Sequence, residues 1–234
     1  MFASLDSGAV FGIDAYVVHV EVDITSTIPS LTIVGLPDAA VQESRERVRS
    51  AIKNSGLEFP LRRMTVNLAP ADIKKSGPSF DLPIAIGILA ATSQVRESHL
   101  GDGLFVGELA LDGTVSPVAG ILPIAIKARD DKRPYIVVPE ANAREAAVVK
   151  GVDVYAVKTL ADVVALLNDF GSVAPFTVDN DTLFGARPVD ELDMGEVKGQ
   201  EHVKRALEVA AAGGHNILML ATVSSFSSPL PVWG

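Results

Sequence analysis

Ten consecutive residues, Leu82 to Ala91 (LPIAIGILAA), carry no charged or polar side chain. A helix needs roughly 20 apolar residues to cross a bilayer, so this run is too short to span one and belongs in the interior of a folded domain. Pro83 falls in the first turn, where a missing N–H costs nothing, so Asp81 to Ala91 is predicted to be a buried helix. The chain can surround such a helix. It has 234 residues, 48% of them hydrophobic, enough for one sizeable domain and the start of another.

The segments before the run read mainly as strands. Phe2 to Val10, Ala15 to Ile24, Leu31 to Val34 and Met64 to Ala69 are rich in Val, Ile and Tyr, with turn residues between. From Ala40 the spacing becomes helical, with Val41, Val48 and Ile52 on one side, Asp38 as the N-cap and Glu43–Arg47 as an outward i,i+4 pair. After the run come short strands at Leu104 to Val106 and Glu108 to Leu111 and a helix with Ile121, Ile124, Ala125 and Ala128 inward. A strand at Tyr135 to Val138, a helix at Ala141 to Val149, a strand at Val154 to Val157 and a helix over Leu160 to Leu167 follow. This order predicts a mixed α/β, or α+β, domain. Gly171 to Pro188 lacks a period and reads as a linker. A helix over Gly199 to Ala212 and a strand over Asn216 to Leu220 open a further unit.

The net charge of −9 argues against a general nucleic-acid-binding surface, which would draw its affinity from Lys and Arg. The absence of cysteine removes disulfides, zinc–thiolate sites and thiol catalysis. The four histidines, His19, His99, His202 and His215, are far apart, so no metal site is expected. The first residues, MFASLDSGAVFGID, do not form a signal peptide, and a cytoplasmic protein without a membrane partner is expected.

Three segments are specific enough to carry a resemblance: VEVDITSTIPSLTIVGLPDAAVQESRERVRSAI (Val20 to Ile52), MTVNLAPADIKKSGPSFDLPIAIGIL (Met64 to Leu89) and GELALDGTVSPVAGILPIAIKA (Gly107 to Ala128). They resemble the N-terminal domain of the Mg-chelatase-like AAA+ ATPases of the YifB/ComM type. The resemblance implies a fold like the Lon proteolytic domain and ribosomal protein S5 domain 2. DMGEVKGQEHVKRALEVAAAGGHNILML, Asp193 to Leu220, resembles the start of the AAA+ module. The implied layout is residues 1–170 as the Lon/S5-like domain, 171–192 as linker, 193–220 as the beginning of the ATPase domain and 221–234 as an aberrant tail. Relatives of this type use ATP and magnesium, self-associate as a ring and act on DNA in branch migration during natural transformation. The fragment itself is expected to be a monomer or weak oligomer.

Each place where chemistry is implied has a specific residue to test. A P-loop needs glycines to turn backbone N–H groups onto phosphate, a Lys for the β/γ-phosphates and a Ser or Thr for magnesium. No G-x-x-x-x-G-K-[ST] occurs in the sequence, and Leu220 is followed by ATVSSF. The tail from Ala221 to Gly234 has no Lys or Arg and reads as truncated or out of frame. Gly199 and Gln200 remain as adenine-side contacts implied by the resemblance. No cofactor is expected on this chain, and ATP hydrolysis is not expected of it.

Ser79, in KSGPSFD, matches the position of the nucleophilic Ser in Lon-type peptidases. That chemistry needs a lysine base with a lowered pKa. The matching position, just after Ala119-Gly120, is Leu122. Lys127 is five residues further on, about 500° of helical rotation away. Ser79 is therefore a vestigial candidate, expected to cap the helix starting near Asp81. Arg45, Arg47, Arg49, Lys53, Arg62 and Arg63 form the densest basic region, expected to be a solvated face balanced by Glu43, Glu46 and Glu58. Lys74-Lys75 beside Ser76-Gly77 is a weaker anion candidate. The favoured function is a non-catalytic accessory domain of an AAA+ motor. The alternatives are a residual Ser-dependent peptidase and an S5-like nucleic-acid-binding module.

Overall fold

β1 (Phe2–Phe11) and β2 (Asp14–Thr25) form a long antiparallel hairpin, turning at Gly12, whose φ of +66° a side-chain-bearing residue rarely adopts. The computed structural model describes residues 1–178 and 197–220, and the chain divides into two compact units, Met1–Asn180 and Asp181–Gly234. In the first unit the hairpin is the middle of a seven-stranded sheet. β3 (Ser30–Val34) runs parallel to β4 (Arg63–Ala69), and β4 runs antiparallel to β2. On the other side β1 is parallel to β5 (Leu104–Phe105), followed by β8 (Tyr135–Pro139) and β9 (Asp153–Val157), also parallel. β6 (Glu108–Leu109) and β7 (Val115–Ser116) make a separate two-stranded ribbon. The expected mixed α/β class is the one found, with parallel pairings in the majority.

The apolar run is helix α2, Asp81–Ala91, with every residue buried. It lies so close to the sheet that a Cβ on Gly87 would stand 2.6 Å from Val22 Cγ2. Its neighbour α1 (Ala39–Asn54) starts as expected, with Asp38 Oδ1 accepting from Val41 N at 2.9 Å, and buries Val41, Val48 and Ile52. α1, α2 and α5 (Leu160–Asn168) share the larger core cluster with Leu5, Val20, Val22 and Leu68 of the sheet. A second cluster joins α3 (Ile121–Asp130) and α4 (Ala143–Ala147) to Leu104, Ile136, Val138 and Val154. Helices thus cover both faces, as parallel strands require. α3 buries the four residues read from its spacing, Ile121, Ile124, Ala125 and Ala128.

Strand β7 has no counterpart in the elements expected, and two expected elements take another form. The helix predicted over Ala141 to Val149 is a 3₁₀ turn, Glu140–Asn142, followed by the shorter α4. Asn142 accepts from Val118 N and donates to Val118 O, each at 3.0 Å, and so staples this turn to the loop before α3. In the second unit α6 (Glu201–Gly213) is present and ends at Gly214, with φ +61°, but Asn216 to Leu220 forms no strand. A strand exists through its neighbours, and these residues pair with none among the described residues.

Of the expected linker, residues 179–192 lie outside the described residues. Before that point Phe176 N donates to Val154 O at 2.6 Å and its side chain packs on the second cluster. The expected aberrant tail, 221–234, lies outside the described residues altogether. No helix among the described residues is long and apolar enough to cross a membrane.

Candidate functional site

Ser79 sits in a 3₁₀ turn, Pro78–Phe80, entered through Gly77 at φ +87°. The turn is clamped from the loop after β5, where Gly107 N donates to Ser79 O and Leu82 N donates to Gly107 O, both at 3.0 Å. The expected capping role is not what Ser79 does. The residue preceding α2 is Phe80, and no side chain caps the helix, because the 3₁₀ turn runs directly into α2. The half-buried Ser79 instead lines a cleft of about 320 Å³ together with Val10, Tyr16, Lys74, Ser76 and Ile124. Ala119 also reaches this cleft. Leu122 lies outside it, 39% exposed, with its N–H donating to Glu145 Oε1 at 2.9 Å. Lys127 is held by Asp131 at 2.7 Å.

The loop carrying Lys74 to Ser79 is anchored by Lys75, whose side chain is fully buried. Its ammonium donates to the carbonyls of Pro70 and Ile73. Its own N–H donates to Leu36 O at 3.1 Å and its carbonyl accepts from Asp38 N at 3.0 Å. Burial pushes the Lys75 pKa below the usual lysine value, with the Asp72 charge opposing.

Arg47 departs from the solvated face predicted for it. Its ion pair with Glu43 is present at 3.8 Å, but its main partner is Asp81, the fully buried first residue of α2. Nε donates to Oδ2 at 2.6 Å and an Nη to Oδ1 at 3.0 Å, a two-point grip. The same Nη donates to Ala40 O, and Asp81 Oδ2 also accepts from Leu109 N at 3.2 Å. This hydrogen bonding raises the Arg47 pKa above its ordinary value. The pair ties α1, α2 and β6 together and is unavailable to a ligand. The spacing of Glu43 and Arg47 concealed it, because Asp81 is 34 residues from Arg47 in sequence.

Of the remaining basic residues, Arg45, Arg49 and Arg62 line a second cleft, about 420 Å³, with Glu46, Phe59 and Leu61. Arg45 Nε donates to Gln42 O, and Arg62 reaches Met1 Sδ at 3.2 Å. His19 Nδ1 is 2.6 Å from Asp6 Oδ1, and Asp6 also takes Arg133, so His19 is committed within the sheet. Among the described residues no group of three or more His, Asp or Glu is placed to hold a metal ion. In the second unit Gly199 and Gln200 are exposed, with φ of +74° and +60°. The Gln200 carbonyl accepts from Val203 N at 2.9 Å and Lys204 N at 3.0 Å, which starts α6.

Residues 20–142, more than half of the chain, match the family described as "Subunit ChlI of Mg-chelatase". The chain belongs to this Mg-chelatase ChlI family. Residues 193–227 match a further family described as "Magnesium chelatase, subunit ChlI". Competence protein ComM of Haemophilus influenzae is 44% identical over 215 residues, which cover 92% of this chain and 42% of ComM. The uncharacterized protein YifB of Salmonella typhimurium is 42% identical over 219 residues, 93% of this chain and 42% of YifB. The chain thus spans about two fifths of the length of these relatives. Lon protease 2 of Bacillus subtilis is 26% identical over 141 residues, 58% of this chain and 25% of that protein. This likeness agrees with the Lon-like fold expected of the first unit.

Proposed function

We propose that these 234 residues form the N-terminal accessory portion of a ComM-like AAA+ ATPase, and that the chain itself hydrolyses neither peptides nor ATP. The observation that carries the reading is Leu122. It stands where the resemblance to Lon-type peptidases requires a lysine, while Ser79 keeps its place in the cleft. A leucine cannot take the serine proton. The residues present also do not fit a nucleoside triphosphate. The sequence has no Walker A loop to hold the phosphates. In this reading ATP, magnesium, ring self-association and DNA in branch migration belong to the full-length protein, in the cytoplasm. The Lon-like domain serves assembly or engagement of partners.

Purified chain incubated with ATP and magnesium is expected to release phosphate at the buffer rate. Turnover above that rate sinks the ATPase half of the reading. Casein or peptide turnover that vanishes in Ser79→Ala sinks the other half. A second reading, a DNA contact, is favoured by the convergence of Arg45, Arg49 and Arg62 on one cleft. Against it stand the net charge of −9 and the loss of Arg47 to Asp81. Weak DNA binding at ~150 mM salt is expected. Tight binding there, weakened by Arg45→Ala with Arg49→Ala, would promote this reading over the first.

A further inference from the structure

The Ser79 cleft is built from three parts of the fold: the β1–β2 hairpin, the loop anchored by Lys75, and the start of α3. Among the described residues neither the Lys74 ammonium nor the hydroxyls of Tyr16, Ser76 and Ser79 has a hydrogen-bond or ion-pair partner. Among the described residues no carboxylate lines the cleft. Of the acids near this loop, Asp38 is committed to Val41 N at 2.9 Å and Gly77 N at 3.3 Å, and Asp72, whose charge acts on Lys75, is not part of the lining. With Lys75 drawn into the interior, Lys74 is left exposed at the cleft rim. From the described residues the cleft therefore offers one cation and three hydroxyls and no negative group. Its remaining walls, Val10, Phe11 and Ile124, are apolar.

We infer that this cleft binds a carboxylate carried by a short apolar stretch of peptide and does not cleave it. Lys74 supplies the counter-charge, the hydroxyls donate to the carboxylate oxygens, and Val10, Phe11 and Ile124 take an apolar side chain. A single lysine suits one negative charge better than a phosphate dianion, which draws several cations. At about 320 Å³ the space is near the lower end of ligand pockets (~300–1,000 Å³), enough for the end of a peptide and not for a folded partner. The inference rests on the reading that Ser79 performs no hydrolysis.

The test is fluorescence anisotropy on the whole chain with a labelled apolar tetrapeptide in three forms: free acid, C-terminal amide, and amide with an internal aspartate. The expected result is saturable binding of the free acid, weakened about tenfold or more by Lys74→Met and restored to within about threefold by Lys74→Arg. Ser79→Ala is expected to weaken it a few-fold. Binding of the aspartate form as well as the acid shows that the cleft takes a side-chain or a terminal carboxylate; binding of the acid alone identifies a chain terminus. Equal affinity for acid and plain amide, unchanged affinity in Lys74→Met, or displacement by inorganic phosphate at concentrations equal to the peptide overturns the inference. Chromatography of the same samples separates the two claims, because cleaved peptide sinks the non-hydrolytic reading and leaves the Lys74 dependence to be judged by itself.

Discussion

Arg47 leaves the solvated face of α1 because Asp81 is wholly buried beneath it. A buried carboxylate is tolerable only when its oxygens are paired. Without the guanidinium, Leu109 N is the one remaining donor to Asp81 among the described residues. Arg47→Met is expected to cost about 3 kcal/mol, read as a lower urea midpoint, and Arg47→Met with Asp81→Leu to recover most of it. Tyr135 gives a pH-dependent counterpart. Burial, and secondarily the Asp102 charge, raise its phenol well above the usual tyrosine value, while its hydroxyl donates to His99 O. The folded chain then keeps a proton that the unfolded chain releases above about pH 10. Stability is expected to fall as pH rises past 10, and Tyr135→Phe to flatten that fall in denaturation measured across the alkaline range. Neither environment was readable from the sequence. Arg47 and Asp81 each look ordinary in their own segments, and Tyr135 looks like any strand tyrosine.

At the scale of elements, α2 was the most legible piece. Ten apolar residues without a polar face have few other places to go, and Asp81–Ala91 is the helix found. What the run could not disclose is how close it lies to the sheet. Gly87→Ala should gain about 1 kcal/mol of helix propensity. However, the new Cβ would stand 2.6 Å from Val22 Cγ2 and 3.2 Å from Leu5 Cδ2. Val22 is stiff at its branched Cβ and cannot step aside, so an overpacking cost of about 1–3 kcal/mol wins. A lower melting temperature is expected for Gly87→Ala, and rescue by an added Val22→Ala. Helix α5 carries a simpler device, the reciprocal capping box of Thr159 and Asp162. Thr159→Ala is expected to cost about 1 kcal/mol by urea titration. The misjudged elements are those whose ends depend on distant partners. α4 is cut short where Asn142 turns to Val118, and Asn216 to Leu220 has apolar residues but no neighbouring strand among the described residues.

For the whole molecule, both core clusters and the complete sheet fall within the first 176 residues. A chain of residues 1–178 is therefore expected to unfold in one cooperative urea transition; a broad or absent transition would show that the first unit needs more of the chain to fold. The sequence by itself determined the mixed α/β class, the buried helix, most strand positions, the family and the leucine at position 122. These are local patterns or residue identities, and neither needs a partner to be read. Tertiary structure decided the rest. It carried Ser79 from a presumed helix cap into a cleft with Lys74 and Tyr16, buried Lys75 while leaving its neighbour exposed, and turned Arg47 from solvent to Asp81. Each of those outcomes depends on which side chains meet across strands and helices far apart in sequence. The arrangement on which the proposed peptide binding rests, Lys74 and three hydroxyls without partners among the described residues, exists only once the hairpin, the anchored loop and the start of α3 have come together.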